Sequence, residues 1–277
     1  MTTTTIERQR AKPGVRTTLS AFLRTEFIEE ISYPLSFAFT LLKSVMPLLL
    51  SYFIGQLIRD ERVGGDYLTF VSIGLGTSMM LSGALSGFGG SMQRNFQRGT
   101  LETYLVEPVS WTFVPVAMNQ WQLFLGMFNG AMIMVVGGWL GASYETSQIP
   151  AFILLMVLGT IATMAVGILS AAVLMLTLKS QPVLHVYSMA AGLLAGSVFS
   201  VSQLPQWLQV FSFAIPHTYV INGSRTLLMS DPGSFEMPYT TAITVLGIFG
   251  LVAMPLGLWL FRRSLEFART MGMLSGY

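Results

Sequence analysis

Hydrophobic positions along this chain gather in long unbroken runs instead of alternating with polar ones. Six runs stand out: Tyr33–Ile58, Tyr67–Met92, Thr112–Gly141, Pro150–Leu178, Val183–Val201 and Met237–Phe261. About 20 apolar residues suffice for a helix to cross roughly 30 Å of hydrocarbon. Strict alternation of the kind a membrane barrel needs is missing. A helix satisfies every backbone group within one segment, so the pattern predicts an all-α polytopic membrane protein with six transmembrane helices. The third and fourth runs are long enough to tilt or to extend past the bilayer. A further run, Val210–Ile221, is too short to cross and predicts a re-entrant or interfacial segment within 202–230, before the last span.

The polar stretches between the runs set the rest of the organisation. Residues 1–18 carry charge and threonine with no apolar core of a signal peptide, and read as a flexible cytoplasmic tail. Residues 19–277 then form one six-helix transmembrane domain. Within 19–31, Leu19, Phe22, Leu23, Phe27 and Ile31 fall on one broad face, with Thr18 or Ser20 as cap. This predicts a helix along the inner membrane surface, or else a cytoplasmic extension of the first span. Residues 93–110 are a polar island carrying Arg94, Arg98, Glu102 and Glu107. Pro47, Pro115 and Pro255 are expected to bend their spans.

Composition agrees with the pattern. The 277 residues are 52% hydrophobic and only 10% charged, against about 25% charged in an ordinary soluble domain. Charge then orients the chain. With both termini cytoplasmic, the inner side holds Arg8, Arg10, Lys12, Arg16, Arg24, Arg94, Arg98, Lys179, Arg262, Arg263 and Arg269. The outer side holds Arg59, Arg62 and Arg225, and Lys43 lies within the first run. This inward excess predicts a cytoplasmic polar island. The net charge of +2 gives no argument for nucleic acid as a partner.

Chemistry is defined here largely by what is missing. With no cysteine, disulfides and thiolate metal sites are excluded. His185 and His217 make no metal-ligand spacing. A phosphate-cradling loop needs glycines ahead of Lys-Ser or Lys-Thr, and neither Lys43-Ser44 nor Lys179-Ser180 has them. All thirteen acids lie outside the apolar runs, whereas ion-coupled carriers generally keep acids inside the membrane. Uphill transport by this chain would draw its energy from another polypeptide.

Within the island, "GTLETYLVE" places Leu101, Tyr104 and Leu105 on one stripe of a short helix ending before Pro108. Amphipathicity alone fits both a docking element and a solvated turn. The residues go further: "RGTLETYLVEPVS" resembles the cytoplasmic segment between the second and third spans of permeases in the type-2 ABC exporter family. "SQLPQWLQVFSFAIPHTYVINGSRTLL", Ser202–Leu228, is similar to the segment before the last span of that family. The resemblance covers essentially the whole chain. Phe96-Gln97 departs from it, because the family often has a charged pair just before the Gly-Thr-Leu-Glu.

This resemblance implies an exporter's membrane subunit with no ATPase site of its own. ATP and Mg would be bound by a separate ATPase subunit, and a second permease subunit would complete a dimer, by expectation a homodimer, in a bacterial plasma membrane. Arg98, Gly99, Thr100, Leu101 and Glu102 would belong to the coupling helix that docks on the ATPase, with Leu19–Ile31 as a second contact. Ser202–Leu228 would close the exit. Cargo would be a lipophilic small molecule or an amphipathic lipid; a lipid-linked polysaccharide, or a membrane assembly role without transport, are the alternatives.

Several other residues carry two readings each. Lys43 sits about 15 Å into its run at helical rise, and either faces a substrate path or a partner helix, or snorkels to the inner surface. His217, after Pro216, is a hydrogen-bonded turn residue or a substrate contact. The G-x-x-x-G pairs Gly83/Gly87, Gly126/Gly130, Gly137/Gly141 and Gly192/Gly196 predict close helix packing. The last of these pairs is expected at the dimer seam.

Overall fold

The computed structural model describes residues 23–25, 27–28, 32–57, 67–97, 114–177, 181–230 and 237–270. Among them every regular element is helical. Four helices precede the region before the last span: α1 (Pro34–Leu57), α2 (Tyr67–Gln97), α3 (Val114–Trp139) and α4 (Ile149–Thr177). Then come α5 (Gln181–Leu194), a 3-10 turn at Val201–Gln203, α6 (Gln206–Phe213), α7 (Pro216–Leu228) and the long α8 (Tyr239–Thr270).

Five helices, α1 to α4 and α8, are long and apolar enough to cross a membrane. The fifth expected span is shorter than its hydrophobic run. α5 has 14 residues, about 21 Å at helical rise, and the chain then turns through Ala195–Ser200. Gly196 adopts φ +80 there, a left-handed conformation that ends a helix readily only where no Cβ is present. Apolar composition therefore ran on past the helix, because hydropathy does not record backbone handedness.

α2 is the centre of the bundle. Two thirds of its apolar window (67%) is buried within the chain, against 17% for α1. Its largest contact is with α3, and the glycines make it possible. A Cβ at Gly83 would overlap the Gln122 carbonyl, one at Gly87 the Asn119 side chain, and one at Gly130 the Gly76 carbonyl. A Cβ at Gly126 would lie 3.1 Å from the Gly83 Cα. Two of the expected glycine pairs thus form the packing seam predicted for them. Gly137 instead makes room for Ser72 and the Tyr144 hydroxyl, and Gly192 faces open space.

The apolar core follows α2 along its length. Ala84, Phe88 and Met92 pack with Ile168 and Met175 of α4 and with Phe261 of α8, where the Phe88 and Phe261 rings meet edge to face at 5.1 Å. Nearer the start of α2, Ile73 and Leu81 pack with Leu155 of α4, Val220 of α7 and Leu246 of α8. Pro47 and Pro255 lie inside α1 and α8 as expected. Pro115 instead occupies the first turn of α3, where its missing N–H would have no helical partner anyway.

Candidate functional site

The two ends of α2 carry different machinery. At its C-terminal end, α2 leads into residues 98–113 and α3 leads out of them, so the glycine seam clamps together the two helices flanking that segment. Arg98, Gly99, Thr100, Leu101 and Glu102, named for coupling, lie outside the described residues. Buried polar groups line the approach: Ser91, Gln93 and, on α3, Asn119. Asn119 Nδ2 donates to the Ala84 carbonyl at 3.2 Å, and its side chain fills the space Gly87 leaves. Of the expected surface helix, residues 23–25 and 27–28 are helical. The Phe27 ring meets Trp121 of α3 edge-on at 5.6 Å.

At the far end of α2, three separate chain segments converge. The loop after α3 folds back, and the Ser143 N–H donates to Thr69 Oγ1 at 3.0 Å. The single Tyr144 hydroxyl proton is shared between Ser72 Oγ (2.8 Å) and the Met134 carbonyl (2.9 Å). Burial pushes the Tyr144 pKa above its ordinary 10.0, with the Ser72 hydrogen bond pulling the other way. The Glu145 N–H donates to the Leu228 carbonyl at 2.9 Å, joining the loop to the end of α7.

α7 itself is almost wholly interior. Pro216 to Thr218, Val220 to Arg225, Leu227 and Leu228 are all buried. Val220 covers Gly159 of α4, and Gly223 lies against Leu155 and Ala242. Small residues on this helix let it sit between α2, α4 and α8. α6 and α7 are separated by a break at Ala214–Ile215, and Pro216 opens α7.

Arg225, counted on the outer side from the sequence, is 0% exposed and is the largest fully buried side chain among the described residues. Its Nη2 donates to the Ser197 carbonyl at 3.0 Å and its Nε to the Phe70 carbonyl at 3.3 Å. The guanidinium carbon stands 3.4 Å from the Phe70 ring centre, a cation–π distance. Positive-inside counting treats every outer Lys or Arg as a loop residue, so it could not separate this one. The pattern that hinted otherwise is its setting in "INGSRTLL", between small and apolar neighbours in a proline-led helix.

His217 is also buried, at 4% exposure. Its Nδ1 is 3.1 Å from the Tyr187 hydroxyl of α5, and the two rings meet edge to face at 5.5 Å. It joins α5 to α7 and is a packed, hydrogen-bonded residue. Lys43 is exposed on α1, while its neighbour Ser44 is buried. The Lys43 side chain therefore points away from this subunit's own core. These two site residues are not brought together.

Comparison with known proteins places this architecture. The family model described as ABC-2 type transporter matches residues 21–229. A protein named "Probable multidrug ABC transporter permease YbhR", from Escherichia coli K12, is 23% identical over 175 residues, covering 60% of this chain and 45% of the relative. Its counterpart from Escherichia coli O157:H7 matches to the same extent. The chain spans about half the length of the curated relatives it matches.

Proposed function

The chain belongs to the ABC-2 type transporter family, and on that premise we propose that it is the transmembrane permease subunit of an ATP-driven exporter. ATP and Mg would be held by a separate ATPase subunit docked on residues 98–113, with Arg98, Gly99, Thr100, Leu101 and Glu102 at the contact and the helix around Phe27 beside it. A second copy of the chain completes the transporter in a bacterial plasma membrane, with both termini in the cytoplasm. In this reading the far end of α2 is the outer side, and α6 and α7 are a re-entrant pair closing the exit.

The glycine seam carries the reading. A push on residues 98–113 would reach α2 and α3 together, because their backbones touch and neither can slide past the other cheaply. Displacement would therefore pass to the outer end as movement of a stiff pair. The open apolar groove between α4 and α8, bordered by Leu158, Ile161, Leu246, Gly250, Leu251 and Met254, is compatible with a lipophilic cargo, as any lipid-facing groove would be. The name carried by the relative, a multidrug permease, points the same way.

Co-purification tests the proposal. The chain should bring down an ATPase whose turnover falls when Leu101 and Glu102 are each replaced by alanine. An assembly factor would show neither the ATPase nor the fall, and that result would sink the reading.

A further inference from the structure

The segment from the end of α5 through α7 is tied together internally. Ser212 Oγ donates to the Leu194 carbonyl at 2.7 Å, and Thr218 Oγ1 donates to the Ser212 carbonyl at 2.6 Å. Gln209 Nε2 donates to the Leu204 carbonyl at 2.8 Å. Towards α4 and α8 this unit presents mainly apolar side chains, with Val220 over Gly159, and a side-chain hydrogen bond from Thr226 Oγ1 to the Met237 carbonyl at 3.0 Å. Towards α2 it presents directional contacts. These include the Arg225 hydrogen bonds to the Phe70 and Ser197 carbonyls, the stack on Phe70, and Ser78 Oγ lying 2.9 Å from Ser197 Oγ. Gly74 makes the junction possible, since a Cβ there would overlap the Ser197 carbonyl and crowd Arg225 Nη2.

We propose that Arg225, seated against Phe70, Gly74 and Ser197, latches the α5–α7 unit to α2, so that the outer gate follows the helix that leads into the coupling segment. From Gly74 to Gln97 is about 35 Å of helix at 1.5 Å per residue; α2 contains no proline, and its Gly76, Gly83, Gly87 and Gly89, which could otherwise bend it, are each braced by a neighbouring helix. Such a rod moves as one body, and the latch decides what moves with it. The flat guanidinium suits the role: it donates in its plane to two carbonyls while its face lies on the ring. A lysine ammonium could not do both. Arg225 is thus a positioning residue, acting through the gate and not on cargo. The inference rests on the exporter reading for its purpose, but the latch itself can be tested apart from it.

The chain has no cysteine, so a pair at positions 78 and 197 reports the junction cleanly. In membranes treated with copper phenanthroline, the S78C/S197C chain should crosslink readily. Adding R225Q should slow crosslinking about tenfold, the loss expected for hydrogen bonds to a charged group. Equal rates with and without Arg225 overturn the latch. If R225Q does not accumulate, R225K, which keeps the charge but loses the planar fork, should slow the reaction likewise.

The second step uses the full chain with its co-purified ATPase in lipid vesicles, carrying a bimane label at W207C on the exposed face of α6. Mg-ATP should shift bimane emission. R225Q and, independently, G74A should abolish the shift while leaving ATPase turnover unchanged. Oxidising S78C/S197C in the R225Q background should restore it, and dithiothreitol should remove it again. A shift that survives R225Q and G74A, a staple that restores nothing, or a label silent in the unmodified chain overturns the proposal. If no ATPase co-purifies, the exporter reading fails instead, and the crosslinking rates still decide the latch.

Discussion

Arg225 and Phe70, 155 positions apart, make two contacts at once: the guanidinium carbon lies 3.4 Å from the ring centre and Nε donates to the Phe70 carbonyl at 3.3 Å. The carbonyl contact survives any change of side chain, but the ring contact does not. Phe70→Leu should therefore cost about 1–2 kcal/mol, the range for a desolvated cation–π pair, read as a lower melting temperature of the purified chain. Phe70→Tyr, which keeps the ring face, should lose less than Phe70→Leu.

The glycine seam separates two classes of substitution. Gly83→Ala and Gly130→Ala place a methyl into opposing backbone or a packed methionine, and should each destabilise the fold by about 1–3 kcal/mol, as overpacking does. Gly192→Ala meets nothing within 4 Å and should leave the melting temperature of the single subunit almost unchanged. Thermal melts of the three variants in one detergent make the comparison.

Tyr144 gives the N-terminal end of α2 a pH dependence. Burial favours the neutral phenol in the folded chain, raising its pKa above 10.0. The stability it contributes is complete below pH 10.0 and is lost as pH rises further, because the unfolded chain then releases the proton more readily. Tyr144→Phe should cost about 1 kcal/mol at neutral pH through the lost hydrogen bonds. It should also flatten the decline above pH 10 in chemical denaturation. An unchanged slope would assign that decline to other groups.

Phe27 against Trp121 is a ring contact between the N-terminal helical residues and α3. Trp121 is 8% exposed and Phe27 is 48% exposed, so truncating Phe27 uncovers the indole without opening the core. Phe27→Ala should raise the rate at which a cysteine introduced at Thr25 reacts with a soluble maleimide, with little change in melting temperature. The same labelling rate in both backgrounds would show that the contact does not hold the segment.

Lys43 is exposed beside Leu42 and Met46 on α1. Lys43→Met should leave the subunit's stability within about 0.5 kcal/mol, as for surface sites generally. Any loss of activity in the assembled transporter would then locate the lysine's role on its outward face, in cargo or partner contact. Urea titration of the subunit beside activity of the complex distinguishes the two.

Much of this protein could be read from residue order alone, because partitioning into a membrane is close to a sum over local side chains. Five of the six expected spans appear as long apolar helices for that reason. The Gly83/Gly87 and Gly126/Gly130 pairs were legible too, since a glycine repeated every fourth residue makes a flat helix face wherever it lies. Position in the bundle was not local. The fifth run ended as the 14-residue α5 because the chain turns at Gly196 and the Ser197 carbonyl meets Arg225, contributed 28 residues later. Arg225 looked like a loop charge by counting and became interior only once α2 and the α5–α7 unit enclosed it. Whether a charge faces water or two carbonyls depends on segments that meet only after folding, and tertiary structure alone decided that.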